Sequence, residues 1–291
     1  MPRRLLILIP ALMALTWMSC TTKRDGRAYR LYHNTTAKYN GFFYANEAHA
    51  EAEVKLEELH EERWDEVLPL FLESDDESAQ QIFPLMERAI EKCTRVVDRH
   101  TMAPPKRMTK SFSRPVMNKW IDDNYTVIGK SYYLKGDYPK AEEIFTYLAR
   151  TVNGDDAEAW AYSWLGRTHM RAGDDVKAKN ALAKAEGIRD ASDEAMVHTL
   201  LVLAQYRILT EEFEKAARHL EDALPRMGKK DKERTRATFV LAQCLRAAGD
   251  KEGAIEQFQE VADMRWADYE WVFQGNIQQA MTYERRNGNS E

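Results

Sequence analysis

Gly136-Asp137-Tyr138-Pro139-Lys140-Ala141 returns as Gly173-Asp174-Asp175-Val176-Lys177-Ala178. It returns again as Glu211-Glu212-Phe213-Glu214-Lys215-Ala216 and as Gly249-Asp250-Lys251-Glu252-Gly253-Ala254. The final Ala recurs after 37, 38 and 38 residues. Upstream of each copy stands a large-small pair: Ile128-Gly129, Leu165-Gly166, Leu203-Ala204 and Leu241-Ala242. Four residues after each Ala comes a large one: Phe145, Leu182, Leu220 or Phe258. This is the pattern of two antiparallel helices joined by a tight turn. A small residue on each helix lets the two cross closely. The turn Gly ends the first helix in a left-handed conformation that costs it little. The large residue fills the groove toward the next unit. One such pair cannot bury its own apolar face, so successive pairs must stack.

Working outward, the repeat predicts an all-α tetratricopeptide-repeat α-solenoid over residues 119–266, in four units. Its period is slightly longer than the usual ~34 residues of that repeat. Residues 267–291 read as the first helix of a fifth unit and a tail. The stop at Asn287-Gly288-Asn289-Ser290-Glu291, with no second helix, reads as an abbreviated or truncated chain. In such a solenoid the first helices line the concave face. Positions two, five, nine and twelve of each unit point into it: Asp123, Thr126, Lys130 and Tyr133; Trp160, Ser163, Arg167 and Met170; His198, Leu201, Gln205 and Ile208; Arg236, Phe239, Gln243 and Arg246. Aromatic, aliphatic and Arg side chains together suit a groove for a peptide or protein. The candidate partner-groove residues are therefore Lys130, Tyr133, Trp160, Arg167, Met170, His198, Gln205, Phe239, Gln243 and Arg246.

The N-terminal part is organised differently. Arg3 and Arg4 precede an apolar run over residues 5–18, too short to span a bilayer and suited to a signal peptide over residues 1–19. Ser19-Cys20 at its end points to lipidation of Cys20, with residues 20–31 as the tether. An N-terminal helical region over residues 32–100 follows, with helices expected at 35–45, 47–64 and 78–99. The last carries Ile82, Leu85, Met86, Ala89, Ile90, Cys93, Val96 and Val97 at helical spacing. Residues 101–118 form a Pro-containing basic loop whose Lys106, Arg107, Lys110 and Arg114 are candidate contacts for an anionic partner.

Composition narrows the function. The chain carries 42 basic and 47 acidic residues, net −5, and a leader containing Arg3 and Arg4 takes two positive charges with it. An acidic chain lacks the basic field that general nucleic-acid binding needs. Besides Cys20, only Cys93 and Cys244 are present, each in an apolar helical context that reads as a buried thiol. None of the seven His falls in a metal-ligand pattern. Gly129-Lys130-Ser131 mimics the end of a phosphate-binding loop, but it lies within a helix and has Asn124 where a Gly is required. No nucleophile elbow or catalytic carboxylate pair stands out. The expectation is a non-enzymatic protein with no cofactor and no small-molecule substrate.

Two stretches carry a more specific likeness: Tyr32-His33-Asn34-Thr35-Thr36-Ala37-Lys38-Tyr39-Asn40-Gly41-Phe42-Phe43-Tyr44-Ala45-Asn46-Glu47, and residues 120–133, Trp-Ile-Asp-Asp-Asn-Tyr-Thr-Val-Ile-Gly-Lys-Ser-Tyr-Tyr. With the lipoprotein-type leader and Tyr269-Glu270-Trp271-Val272-Phe273-Gln274-Gly275-Asn276, they resemble the N-terminal portion of the PorW/SprE family. Those are repeat-bearing envelope lipoproteins of the type IX secretion system and gliding motility. The resemblance implies a lipid anchor on the periplasmic face of the outer membrane. It also implies protein partners in the cell envelope, namely the secretion motor and ring on one side and the translocon on the other. Two other readings remain open: a scaffold lipoprotein for outer-membrane assembly, and a solute-binding repeat lipoprotein.

Overall fold

The computed structural model describes residues 26–103, 118–152 and 154–287. The expected signal peptide, Cys20 and the basic-loop residues Lys106, Arg107, Lys110 and Arg114 lie outside these. Every regular element among the described residues is helical: α1 (Arg27–Thr36), a π-helical segment (Ala37–Phe42), α2 (Phe43–Leu59), α3 (Asp76–His100), α4 (Ile121–Leu134), α5 (Tyr138–Thr151), α6 (Asp155–Arg171), α7 (Asp175–Gly187), α8 (Asp193–Leu209), α9 (Phe213–Ala223), α10 (Lys232–Ala248), α11 (Lys251–Ala262) and α12 (Tyr269–Asn287). A short 3₁₀ turn (Leu224–Arg226) follows α9.

The four repeats are the pairs α4/α5, α6/α7, α8/α9 and α10/α11. In each turn the amide after the turn residue bonds back to a carbonyl five residues earlier: Asp137 to Tyr132, Asp174 to His169, Glu212 to Arg207 and Asp250 to Leu245. That geometry puts the turn residue at positive φ: 75° at Gly136, 75° at Gly173 and 93° at Gly249. The third turn has no Gly, and Glu211 is forced to φ 56°. An L side chain there costs about 1 kcal/mol. The next residue caps the second helix, as Asp174 accepts from the Lys177 amide (3.0 Å) and Asp250 from that of Gly253 (2.9 Å). Glu212 makes no such cap.

Ala141, Ala178, Ala216 and Ala254 are fully buried, as close helix crossing requires. In the first two units the small residue of the first helix meets the large residue rather than the Ala. A methyl added at Gly129 would lie 2.7 Å from the Phe145 ring, and one at Gly166 would lie 2.4 Å from Leu182. The large residue also faces onward, as expected: Phe145 stacks on Trp164 of the next unit, ring centroids 5.7 Å apart. Cys93 and Cys244 are both free and buried, and burial pushes each thiol up to about 12.

The N-terminal region departs from expectation in three ways. First, helix begins at Arg27, so the last residues of the expected tether are already helical. Second, there is no break near residue 46, and helix runs on from α1 to α2 through the π-helical segment. In that segment Gly41 presses on Val96, where a Cβ would overlap the Val96 side chain. Third, α2 ends at Leu59, not at Trp64. The α1–α2 rod pairs with α3, with Ala45, Ala48, Ala89 and Cys93 in one cluster and Ala52, Leu56, Ile82 and Met86 in the next. Beyond them His33 Nδ1 and His100 Nδ1 lie 2.8 Å apart, and Asn118 donates to the carbonyls of both (3.2 and 3.0 Å). This pair stacks through α3 onto α4 and forms one more layer at the front of the solenoid.

The link between α2 and α3 is not a turn. Residues 60–75 leave the end of α2 as non-helical backbone and return along the concave face before Asp75 caps α3. That cap is a reciprocal one, with Asp75 Oδ1 accepting from the Ser78 amide (2.7 Å) and Ser78 Oγ accepting from the Asp75 amide (2.9 Å).

Candidate functional site

The concave face predicted from repeat positions exists, and residues 60–74 lie in it as a strap. The fourth repeat starts the contact. Arg236 binds the Glu62 carboxylate and donates to the Pro69 carbonyl (2.9 Å). Trp64 packs edge-on to Phe239 and Trp271, centroids 5.3 and 5.0 Å away. At the other end Glu73 accepts from Arg167 Nη2 (2.9 Å) and from the Tyr133 hydroxyl (2.6 Å). Arg171 donates to the Ser74 carbonyl (2.8 Å), and Ser74 Oγ donates to that of Leu134 (2.6 Å).

Between these ends the groove reads backbone. Gln278 donates to the Trp64 carbonyl (3.0 Å). Gln243 donates to the Glu66 carbonyl (2.7 Å) and accepts from the Leu68 amide (2.9 Å). Gln205 accepts from the Leu70 amide (2.6 Å). Three glutamines, one on each of α8, α10 and α12, thus hold alternate strap residues: Gln278 takes Trp64 within a turn that the Glu66 amide closes on the Arg63 carbonyl, and Gln243 and Gln205 take Glu66, Leu68 and Leu70 at the two-residue period of an extended chain. Each side-chain amide offers both a donor and an acceptor, so it can satisfy either backbone group. Leu68 and Leu70 are 1% and 7% exposed and belong to the same apolar cluster as Leu201, Phe239 and Ala242. Phe71 faces His198 (5.8 Å), and the Arg167 guanidinium lies 3.9 Å from its ring centre.

The electrostatics follow from burial. Arg167 is almost inaccessible, and its charge is matched by Glu73. Burial pushes the Tyr133 phenol far above its ordinary range, so it stays a donor to Glu73. His198 stacks on Trp160 and Trp164, centroids 4.3 and 5.3 Å away. Burial first, then the charges of Arg167 and Lys130, hold His198 well below its usual pKa, so the ring is neutral. The Lys130 ammonium sits over the same two indoles, 5.2 and 5.1 Å from their centres, and burial lowers its pKa against the opposing pull of Glu53. Across the groove Lys232, at the start of α10, pairs with Glu57 near the end of α2 (2.5 Å).

Of the ten predicted groove residues, Tyr133, Arg167, His198, Gln205, Phe239 and Gln243 touch the strap. Trp160 and Lys130 stand behind His198 and Trp164. Met170 packs with Phe71 against the cluster of Leu182 and Val202. Arg246 acts on Gln278. It donates to Gln278 Oε1 (2.6 Å) and so turns the Gln278 amide toward Trp64. The residues missed among the contacts are Arg171, Trp271, Gln278 and the strap itself. Gln278 was detectable, because it follows Gln243 at nearly the interval that separates Gln243 from Gln205. The strap had no periodic signal, and only Pro69 spoke against helix.

The tetratricopeptide-repeat family model matches residues 236–264, which is the α10/α11 pair. No curated protein matches the chain in sequence. Among solved structures, that of yeast Tom70 aligns with a TM-score of 0.53 and 15% identity, over 92% of this chain and 46% of that one. That of BtubC from P. vanneervenii aligns with a TM-score of 0.50 and 17% identity, over 72% of this chain and 84% of the other. The chain therefore spans less than half the length of the Tom70 structure. At these identities the likeness concerns fold alone, and it agrees with the helix pairs and with the family match. The chain is an all-α tetratricopeptide-repeat solenoid preceded by an N-terminal helical pair.

Proposed function

We propose that this protein is a non-catalytic interaction scaffold that holds an extended segment of polypeptide along its concave face. The observation that carries the reading is the glutamine series Gln205, Gln243 and Gln278, which satisfies the backbone of a non-helical segment at alternate residues, Glu66, Leu68 and Leu70 among them. Backbone recognition by side-chain amides supplies affinity with little demand on sequence, and the aromatic pockets at Trp64 and Phe71 add selectivity. A groove that holds peptide favours a protein ligand over a small solute.

The finer reading rests on sequence. The leader and Cys20 support a lipid anchor, and residues 32–47 and 120–133 support a PorW/SprE-like protein on the periplasmic face of the outer membrane. There it would link the motor and ring of a type IX secretion or gliding machine to the translocon. Two measurements test this. Cys20→Ala should release the protein from the outer-membrane fraction, and persistent co-sedimentation with that membrane would remove the anchor. Photo-crosslinkers placed on exposed faces of α5, α7 and α12 in intact cells should join the protein to envelope partners. A protein that crosslinks to nothing would defeat the scaffold reading.

A further inference from the structure

We infer that residues 60–74 are an internal ligand, and that the groove's partner is an extended peptide of the same chemistry that displaces them. That peptide carries two carboxylates spaced like Glu62 and Glu73, with an indole and two branched aliphatic residues between them. The inference rests on the scaffold reading and adds what the ligand is and why the site is closed.

Three observations carry it. First, the strap's backbone is held mainly by the groove, while its side chains also pair locally, His60 with Glu62 (3.1 Å) and Arg63 with Glu66 (2.7 Å) and Asp65 (3.9 Å). The strap's backbone makes two local bonds, from the His60 amide to the Glu57 carbonyl (3.4 Å) and from the Glu66 amide to the Arg63 carbonyl (3.0 Å), whereas its other backbone partners are Gln205, Gln243, Gln278, Arg236 and Arg171. Second, the helices it connects do not depend on it for their pairing. The α1–α2 rod and α3 meet through Gly41 and Val96, Ala45 and Cys93, and Ala52 and Met86, while a short turn is all that helix pairs of this kind need. Third, the groove is chemically complete without the strap. Arg236 and Arg167 place positive charge at its two ends, and the Arg246 bond sets Gln278 in its donating orientation from within the repeats. Any chain that brings two acids to those arginines and extended backbone to the glutamines meets the same partners. The strap holds its place by being tethered, at high effective concentration, so a partner competes with it rather than filling an open site. The closed form lowers apparent affinity by the fraction of molecules that are open.

The test uses a fluorescein-labelled peptide of residues 60–74 and the full chain. Wild type should bind it weakly. The strap variant Leu68→Ser/Leu70→Ser, which leaves every groove residue in place, should bind it at least about tenfold more tightly. Adding Gln205→Ala and Gln243→Ala to that variant should abolish binding, and a scrambled peptide should not bind. A strap variant that keeps its helical circular dichroism yet ignores the peptide overturns the inference. So does one that dimerises by exchanging straps between copies. Hydrogen exchange on the wild type decides the matter even if the variant unfolds. The Leu68 and Leu70 amides should exchange at least about tenfold faster than those of Val202 and Val240 in α8 and α10. Equal rates would make the strap a permanent part of the core and overturn the proposal. In either failure, crosslinking to envelope partners in cells would still uphold the scaffold reading.

Discussion

Gly166 meets Leu182 across a single turn, whereas the Leu68 amide finds Gln243 175 residues away. The two contacts belong to the two regions that build the groove, and the contrast explains how each is held. The repeats are made of local contacts: each helix pair closes a loop of a few residues, with small loop entropy, and buries its face on the next pair. The strap's local contacts are a few turn bonds and ion pairs near its start. Its fixing bonds reach to α4, α6, α8, α10 and α12, so it takes shape only after those helices stand in their places. Order in the repeats is therefore set by each unit and its immediate neighbours, and order in the strap is a property of the assembled groove.

The largest expected effect sharpens that contrast. Leu68→Ala removes a fully buried side chain from the central cluster and should cost about 3 kcal/mol in urea unfolding. Its native helicity should be unchanged, because no helix of the repeats contains it. A loss of helical signal in the native baseline would show that the strap organises the repeats rather than filling them.

Gly166→Val is the matching break in a repeat. The added atoms collide with Leu182, and overpacking of this kind should cost about 2 kcal/mol. Because the fault lies between α6 and α7, exchange protection should fall first in those helices and their neighbours. Uniform loss along the whole chain would argue that the repeats unfold as one unit.

A smaller effect comes from pH at the surface where the two regions meet. His198 is held neutral in the folded protein, with a pKa well below its ordinary value, and its Nε2 has no hydrogen-bond partner. The unfolded chain takes up a proton near pH 6.5 while the folded one resists. The stability is thus fully present above that pH and is lost as pH falls toward the folded pKa. The loss from this residue should be about 1 kcal/mol per pH unit between pH 6.5 and pH 5.5. His198→Phe, which keeps a ring against Trp160 and has nothing to protonate, should flatten the slope. An unchanged slope would assign the effect to other residues, His100 first among them.

The smallest effect is a gain. Glu211 alone among the turn residues of the repeats is not Gly, and Glu211→Gly relieves its left-handed backbone. The melting midpoint should rise by an amount equivalent to about 0.5 kcal/mol, the relief being partly offset by the greater freedom of Gly in the unfolded chain. The same change at Val176, an exposed helical residue, should lower it.

The helix pairs were legible because their constraints are short-range. Ala141, Ala178, Ala216 and Ala254 recur in step, and a residue that must be small is easily seen when it returns every repeat. The register of the concave face came with them, which is why Tyr133, Arg167, His198, Gln205, Phe239 and Gln243 could be named as groove residues. What they face could not be read. Trp64 sits at a spacing that continues the helix ending at Leu59, and nothing within ten residues says that its indole belongs against Phe239 and Trp271. Arg246 was placed in the groove by register, and only the folded structure shows that it orients the neighbouring Gln278.

By itself, then, the sequence determined the all-helical class, the pairing of α4 through α11, the turn positions and the side of the solenoid that faces inward. Each of these follows from side-chain size and backbone freedom at fixed local spacing. The tertiary structure alone decided that the first helix pair is joined by a strap and that the strap lies in the groove it was expected to leave open. The reason is physical: a non-helical segment has too few internal hydrogen bonds to declare it, and its conformation is set by partners that only the folded superhelix brings within reach.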